Sequence, residues 1–209
     1  MAIIDLLASS QGLRGNEANI ALAKEIASSG NKSAIKELVE NLQNKDKKIQ
    51  GDCIKTLYET GYLKPDLIAE YYNDFLQLLT SKNNYLVWSG MIAIAVITDL
   101  KPKEIFASLD LIMQIVNNGS VITIDNGVEI LAKLNKFKEY FNTTDPLLME
   151  QLWKCPIKQL PMYAEKSLIS INKRNKETYQ NIIGKRKDEC EKDSQIKRLK
   201  KVLKRIDKI

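Results

Sequence analysis

Apolar residues recur along the chain at helical spacing, and one arrangement of them returns at a nearly constant interval. Ile49, Ile54 and Leu57 form the first copy, at offsets of zero, five and eight residues. The same offsets recur in three further copies, which begin 38, 36 and 40 residues after the previous one: Val87, Ile92, Ala95; Thr123, Val128, Leu131; and Tyr163, Leu168, Ile171. Side chains at such offsets lie on one broad face of a helix, so the pattern predicts four similar helices.

A second apolar pattern precedes the first and third copies at equal distances, and it predicts a partner helix before each repeated one. Its members are Ile35, Leu38, Val39 and Leu42 in one case and Leu109, Ile112, Met113 and Val116 in the other. The tripeptide Leu-Lys-Pro also recurs, ending at Pro65 and Pro102, and proline is tolerated in the first turn of a helix. A period of 36–40 residues built from helix pairs predicts an all-α fold, an α-α superhelix (solenoid) of about four to five stacked pairs.

The first copy resembles the turn and second helix of HEAT and armadillo-type repeats. The pattern of these repeats has Asp, then an aliphatic residue followed by Arg, then a small residue and Leu. The matching residues are Asp46, Ile49, Gln50, Cys53 and Leu57, with Gln50 at the usual Arg position, and the second copy offers Asn84, Val87, Trp88, Met91 and Ala95. The resemblance covers residues 33–172. It implies that the second helices line a concave face on which a ligand is bound, but the fold alone implies no particular function.

The composition predicts a single domain with three parts. We expect an N-terminal helical cap at residues 1–32, the repeats at 33–172 and a basic C-terminal helical cap or tail at 173–209. Asn16 is predicted to cap a helix that runs to about Ser28, and Ser33 to cap the next one. Residues 121–124 are β-branched, but their place in the repeat predicts the start of a helix rather than a strand.

The positive charge lies almost entirely in the C-terminal part. Residues 173–209 contain 14 Lys/Arg and 6 Asp/Glu, whereas residues 1–172 contain 18 and 20. A final helix is predicted with Ile196, Leu199, Leu203 and Ile206 on one stripe and, on its other faces, the candidate binding residues Lys197, Arg198, Lys201 and Arg205. These cations fit phosphates of a nucleic acid, an anionic membrane surface or a coiled-coil partner, and they equally fit the polar outer face of a terminal cap.

Residue types limit the chemistry that the chain can carry. The sequence has no His, no glycine-rich phosphate loop and no nucleophile motif, so we predict no catalytic, cofactor-binding or metal-binding residues. The three Cys are widely spaced, which argues against a disulfide framework and for a reducing compartment. No apolar stretch approaches the roughly 20 residues of a transmembrane helix, and the first residues lack a signal peptide's basic region. The expectation is a cytoplasmic protein.

Trp88, Tyr85 and Asp125 remain as candidate binding residues in the repeats. Trp88, with Tyr85 one helical turn before it, is expected either to anchor a ligand or to pack against the neighbouring pair. Trp153 is expected in the core. Asp125 either binds a ligand or caps a helix. The columns expected to be exposed on the second helices, such as Gly51, Ser89, Asp125 and Glu165, contain no ladder of cations for tracking phosphates.

Two functions from different classes follow. The first is a non-enzymatic scaffold that binds a protein or peptide on its concave face. The alternative is a nucleic-acid-binding protein, in its most specific form similar to the HEAT-like DNA glycosylases of alkylation repair, which use concave aromatics with an Asp and an Arg. Trp88, Trp153 and Asp125 supply such residue types, but the repeats depart from that family because no Arg occurs between Arg14 and Arg174.

Overall fold

A computed structural model describes residues 2–209, and within this range the chain is helical without a strand. It forms two compact units, which divide between Thr123 and Ile124. The helices of the first unit are α1 Glu17–Ser29, α2 Lys32–Glu40, α3 Lys47–Leu63, α4 Tyr72–Leu78, α5 Asn84–Ile97, α6 Pro102–Ala107 and α7 Leu109–Asn118. Helix α8, Val121–Leu134, begins in the first unit and continues into the second, which contains α9 Phe141–Lys154, α10 Leu160–Ser167, α11 Lys176–Lys187 and α12 Asp193–Ile206. Short 3-10 helices lie at Ile3–Leu6, Asn41–Gln43, Pro65–Leu67 and Ala69–Tyr71.

Helix α3 is the centre of the first unit. It packs between α1 and α5, while α2 packs against α3 and α4 against α5. Ile35 and Leu38 of α2 and Ile54 and Leu57 of α3 are all fully buried, as their spacing predicts. Each such side chain contributes about 1.5–3 kcal/mol of burial free energy. The first partner helix and the first repeated helix therefore form one core.

Helix α5 is buried on almost every side, because α4 crosses it closely at Gly90. A Cβ atom on Gly90 would lie 3.0 Å from the carbonyl oxygen of Phe75 and 3.1 Å from Cβ of Leu78. Ser89, Gly90 and Ala93 consequently face inward. The prediction that Ser89 belongs to an exposed column is wrong for this reason.

The predicted helices begin close to the expected residues, but both predicted caps differ from the structure. Asn16 directly precedes α1, yet its side chain accepts no capping hydrogen bond. Asn31, and not Ser33, caps α2, since the Asn31 side chain accepts a hydrogen bond from the backbone N–H of Ala34 at 3.0 Å. The Ser33 hydroxyl instead donates to the same Asn31 oxygen at 2.7 Å. Helix α8 begins at Val121, so the predicted helix start in the β-branched segment is confirmed.

In the second unit each of two helices packs against both of the others. Helix α9 packs against α10 and α11, and α12 packs against α10 and α11. Leu199, Val202 and Ile206 of the basic helix are buried, so this helix is docked. Val202 takes the core position that the predicted stripe gave to Leu203, which is half-buried. The three-part division of the chain stays a prediction.

A buried polar network joins the end of α8 to α9 and α11. The side-chain amides of Asn135 and Asn175 and the hydroxyl of Tyr179 all donate to Oδ1 of Asp145, at 2.7, 2.8 and 3.1 Å. Burial, and then the Asp145 carboxylate, raise the pKa of Tyr179. Because buried polar groups need partners, this network fixes the three helices at one relative position.

Candidate functional site

Four aromatic side chains of α3 and α5 cluster in the first unit, and we call them the aromatic surface: Tyr62, Tyr85 and Trp88, which reach solvent, and Tyr58, which is buried at 5% exposed. The rings of Tyr85 and Trp88 meet edge to face with centroids 4.6 Å apart, and those of Tyr58 and Tyr62 do so at 6.0 Å. Tyr62 is 57% exposed, whereas Tyr85 and Trp88 are half-buried. The structure thus brings together the two aromatic residues predicted from the sequence and adds two more.

Gly51 lets Tyr85 lie directly on α3. A Cβ atom at Gly51 would stand only 3.3 Å from Cε1 of Tyr85, and the Tyr85 hydroxyl donates to the Gly51 carbonyl oxygen at 3.4 Å. Burial, with a smaller contribution from nearby Tyr58, raises the pKa of Tyr85 to about 12. The phenol therefore stays protonated at neutral pH.

The polar groups beside the aromatic surface are paired with one another. Nζ of Lys55 lies 2.6 Å from a Glu59 carboxylate oxygen and 4.8 Å from the centroid of the Tyr58 ring. Burial alone would lower the pKa of Lys55, but Glu59 and Tyr58 raise it, so the ammonium group stays charged. Ring edges and faces, rather than free charges, are what this surface offers to a ligand, and such surfaces suit binding rather than chemistry.

The second helices of the second unit carry an ionic network instead. Asp125 accepts a hydrogen bond from the Tyr163 hydroxyl at 2.9 Å, and its backbone carbonyl oxygen accepts one from Nζ of Lys166 at 2.9 Å. Lys166 and Lys133 lie 2.8 and 2.9 Å from the carboxylate of Glu129. Burial opposes the charge of Glu129, but the two lysines prevail and lower its pKa. Asp125 is thereby engaged within the protein, and a binding role for it stays a prediction.

The cations predicted on α12 differ in their surroundings. Arg198 binds Glu165 of α10 through two hydrogen bonds, of 2.8 and 2.6 Å, which lower the pKa of Glu165 and raise that of Arg198. Lys197, Lys201 and Arg205 are exposed on the same helix. Arg198 therefore joins α12 to α10, while the other three present their charges to solvent.

Trp153 is not in the core, and that prediction is wrong. The side chain is 53% exposed at the end of α9. Leu148 and Leu152 form the buried face of this helix, and Trp153 follows Leu152 by one residue, about 100° further around the helix axis. The hydrophobicity of Trp153 alone suggests burial. The positions of Leu148 and Leu152 around the helix axis, in contrast, predict that Trp153 is exposed.

Sequence reasoning missed Tyr58, Tyr62 and Lys55. Their spacing contains a usable signal, because Tyr58 and Tyr62 stand four residues apart on one helix and Lys55 precedes Tyr58 by three. The spacing does not reveal that α3 packs beside α5, which places Tyr58 and Lys55 near Tyr85.

The part of the chain that the structure describes has neither a cluster of metal ligands nor a helix that could span a membrane. No group of three or more Cys, Asp or Glu side chains is close enough there to hold a metal ion, and none of its helices is long and apolar enough to cross a membrane. Cys53, Cys155 and Cys190 are free and buried. Burial raises the pKa of Cys53 to about 12 and that of Cys155 to about 11.

Known proteins share this fold but little sequence. No model of a protein family matches the chain, and no curated protein matches it either. A designed armadillo repeat protein in complex with the peptide (KR)4 matches with a TM-score of 0.66 and 12% identity, over 89% of this chain and 86% of that one. Another designed armadillo repeat protein matches with a TM-score of 0.64 and 14% identity, over 98% of this chain and 91% of that one. An engineered protein matches with a TM-score of 0.60 and 18% identity, over 99% and 95% of the two chains.

These similarities define the class of fold. The chain has the armadillo-type fold of repeated helices, which confirms the all-α repeat class and the resemblance inferred from the 36–40-residue period. At 12–18% identity the similarity concerns the fold alone.

Proposed function

We propose that this chain is a non-enzymatic scaffold that binds a peptide segment of a partner protein along its second helices, on the face expected to be concave. The observation that carries the proposal is the aromatic surface, in which three solvent-accessible rings and the buried ring of Tyr58 lie on two adjacent helices beside an already paired lysine and glutamate. Large aromatic side chains supply most of the binding free energy in many interfaces, because they bury much area at little entropic cost.

The comparison with solved structures supports a peptide as the class of ligand. One designed armadillo repeat protein of this fold is in complex with the peptide (KR)4. Helices α3 and α5 pack side by side, so their aromatic residues offer adjoining contacts to an extended chain. The three buried free cysteines support a cytoplasmic location for this activity.

A selection from a random peptide library, followed by affinity measurements, tests the proposal. Peptides that bind the full-length protein should lose roughly 30-fold in affinity when Trp88→Ala is introduced, which corresponds to the loss of about 2 kcal/mol at a central aromatic contact. Tyr62→Ala should weaken binding too, and because Tyr62 is largely exposed this variant leaves the fold intact.

Trp153→Ala is the matched control, since Trp153 is the other tryptophan and lies in the second unit. Its substitution should leave the affinity unchanged. Peptides that bind Trp88→Ala and Tyr62→Ala as tightly as the original protein would refute the placement of the site.

Nucleic acid binding is the second candidate, favoured by the exposed cations of α12, among them Lys197, Lys201 and Arg205. Duplex DNA, single-stranded DNA and RNA should then bind at near-physiological salt and lose affinity when all three cations become Gln, with a smaller salt slope. Binding that vanishes at that salt would exclude this function. The glycosylase form gains no support, because the Asp125 carboxylate is engaged by Tyr163.

A further inference from the structure

A cavity of about 510 Å³ opens in the first unit beside Tyr85. Its walls come from the N-terminal segment at residues 8–16, from the first turns of α3 and from the start of α5. Tyr85 is shared, because its ring lines the cavity and its edge contacts Trp88. The cavity is therefore continuous with the aromatic surface.

Hydrogen bonds to one carboxylate hold the N-terminal segment in place. The backbone N–H of Ser9 donates to one oxygen of Asp52 at 2.8 Å, and the side-chain amide of Asn19 donates to the other at 2.7 Å. Asn19 in turn accepts from the N–H of Ala8 at 2.9 Å, and neighbouring Leu7 is fully buried. Both oxygens of Asp52, the acidic residue of the cavity wall, are thus engaged by the protein.

Cations dominate the remaining wall. Arg14, Lys47 and Lys48 line the cavity and are exposed to solvent. The hydroxyl of Ser9, which also lines it, is buried and has no hydrogen-bond partner within the described chain. These groups are donors and positive charges without an acceptor to match them.

Helix ends add to the positive potential at the same place. Helices α1, α3 and α5 begin at or next to residues of the cavity wall, and the N-terminus of a helix carries a partial positive charge. Two carboxylates lie nearby. Asp46 accepts from the backbone N–H of Lys48 at 2.8 Å as the cap of α3, and Glu17 is in the first turn of α1. The cations of the wall remain in excess over its single acid.

We infer that this cavity binds an anionic group, a carboxylate or a phosphate, of a peptide whose apolar side chains rest on the aromatic surface. The inference depends on the proposed function and specifies its ligand as an acidic peptide segment. A carboxylate accepts several N–H and O–H donors at once, and charge-assisted hydrogen bonds of this kind are about twice as strong as neutral ones. The preferred charge is opposite to that of (KR)4, the peptide held by the designed protein.

Four labelled dodecapeptides test this inference on the full-length protein. They share their Leu and Tyr positions, while the remaining positions are Glu, Gln, Lys or, in the fourth, phosphoserine. The Glu peptide should bind about tenfold more tightly than the Gln peptide, and the Lys peptide should bind least. The phosphoserine peptide, measured beside the Glu peptide, shows which anion is preferred.

Two triple variants with equal charge locate the effect. Replacing Arg14, Lys47 and Lys48 by Gln should abolish the preference for the acidic peptide. Replacing Lys197, Lys201 and Arg205 by Gln removes the same charge from the second unit and should leave the preference intact. All six side chains are exposed, so both proteins should fold.

The outcomes separate failure of the inference from failure of the proposed function. If the Gln or Lys peptide binds best and its binding depends on Trp88, the proposed scaffold function stands and the anionic site is refuted. Loss of acidic preference only in the α12 variant would overturn the site as well.

If no peptide binds, the proposed function fails. Titration with inorganic phosphate, followed by the amide NMR shifts of Ser9, Gly12 and Gly15, then tests separately whether the cavity binds an anion. Shifts that vanish in the Arg14/Lys47/Lys48 variant support an anion site, and their absence in the original protein refutes it.

Discussion

The second helices of the two units occupy equivalent places in the repeat and present opposite chemistry. In the first unit α3 and α5 carry the aromatic surface, and the unit has 12 Lys/Arg and 14 Asp/Glu. In the second unit α8 and α10 carry a network of ion pairs, and the unit has 20 Lys/Arg and 12 Asp/Glu. The repeat therefore fixes where side chains stand but leaves their chemistry free.

This difference indicates which surface is available to a ligand. The charges of Glu129, Lys166 and Asp125 have partners within the protein, so a ligand must first break those interactions. The solvent-accessible rings of Tyr62 and Trp88 are mainly apolar, and covering them removes apolar area from water. We therefore expect the first unit to bind the ligand, whereas the ion pairs of the second unit hold its helices together.

The largest expected effect concerns the buried network of the second unit. Asp145→Ala leaves the amides of Asn135 and Asn175 and the hydroxyl of Tyr179 without their common acceptor, so we expect a loss of about 3–5 kcal/mol in the free energy of unfolding. Urea unfolding monitored by Trp153 fluorescence in a Trp88→Phe background measures it. Asp188→Ala, an exposed acid of the same unit, should change the free energy by less than about 0.5 kcal/mol. Equal effects of the two substitutions would show that the network does not stabilise this unit.

Two glycines within helices provide an intermediate effect on the free energy of unfolding. Gly184 of α11 has open space where a Cβ would lie, so Gly184→Ala should stabilise the protein by about 0.5–1 kcal/mol through helix propensity. Gly51→Ala should gain less, because its Cβ meets Tyr85 at 3.3 Å.

Peptide affinity distinguishes the same two variants. Gly51→Ala displaces the Tyr85 ring and should weaken peptide binding, whereas Gly184→Ala should not. Thermal unfolding and peptide titration of both variants provide the measurements. Unchanged affinity in Gly51→Ala would mean that the position of Tyr85 does not matter for binding.

The smallest effect is the pH dependence that Glu129 contributes. Its pKa is lower in the folded protein than in the unfolded chain, because Lys133 and Lys166 outweigh the cost of burial. Its stabilisation is therefore present above the unfolded pKa and is lost as the pH falls through the folded pKa. Glu129→Gln should flatten the decline in stability on the acid side. Denaturation curves at several acidic pH values measure this, and parallel declines in both proteins would contradict it.

The sequence predicts the repeat well because the buried apolar residues recur at the same interval as the helix pairs. Ile54, Leu57, Val128 and Leu131 stand at repeated positions and are all fully buried, since a helix that packs on its neighbours must place apolar residues at this spacing. The choice between two nearby capping residues at one helix start is less predictable. Asn31 and Ser33 are both good capping residues two positions apart, and only the backbone geometry selects Asn31.

Contacts between distant segments account for most of what the sequence did not show. The three groups that bind Asp145 stand 10, 30 and 34 residues away from it, so no short motif contains them. The partners of the aromatic surface likewise belong to two helices. Gly90 provides another case, where the close packing of α4 against α5 accompanies the burial of neighbouring Ser89, one member of a predicted exposed column.

The most direct test uses the two tryptophans as separate reporters. With Trp153→Phe the only tryptophan is Trp88, and with Trp88→Phe it is Trp153. On titration with the acidic dodecapeptide, the emission of Trp88 should change with a saturable dependence on concentration, and that of Trp153 should stay constant. A saturable change at Trp153 with none at Trp88 would contradict the central claim, because the peptide would then bind in the second unit.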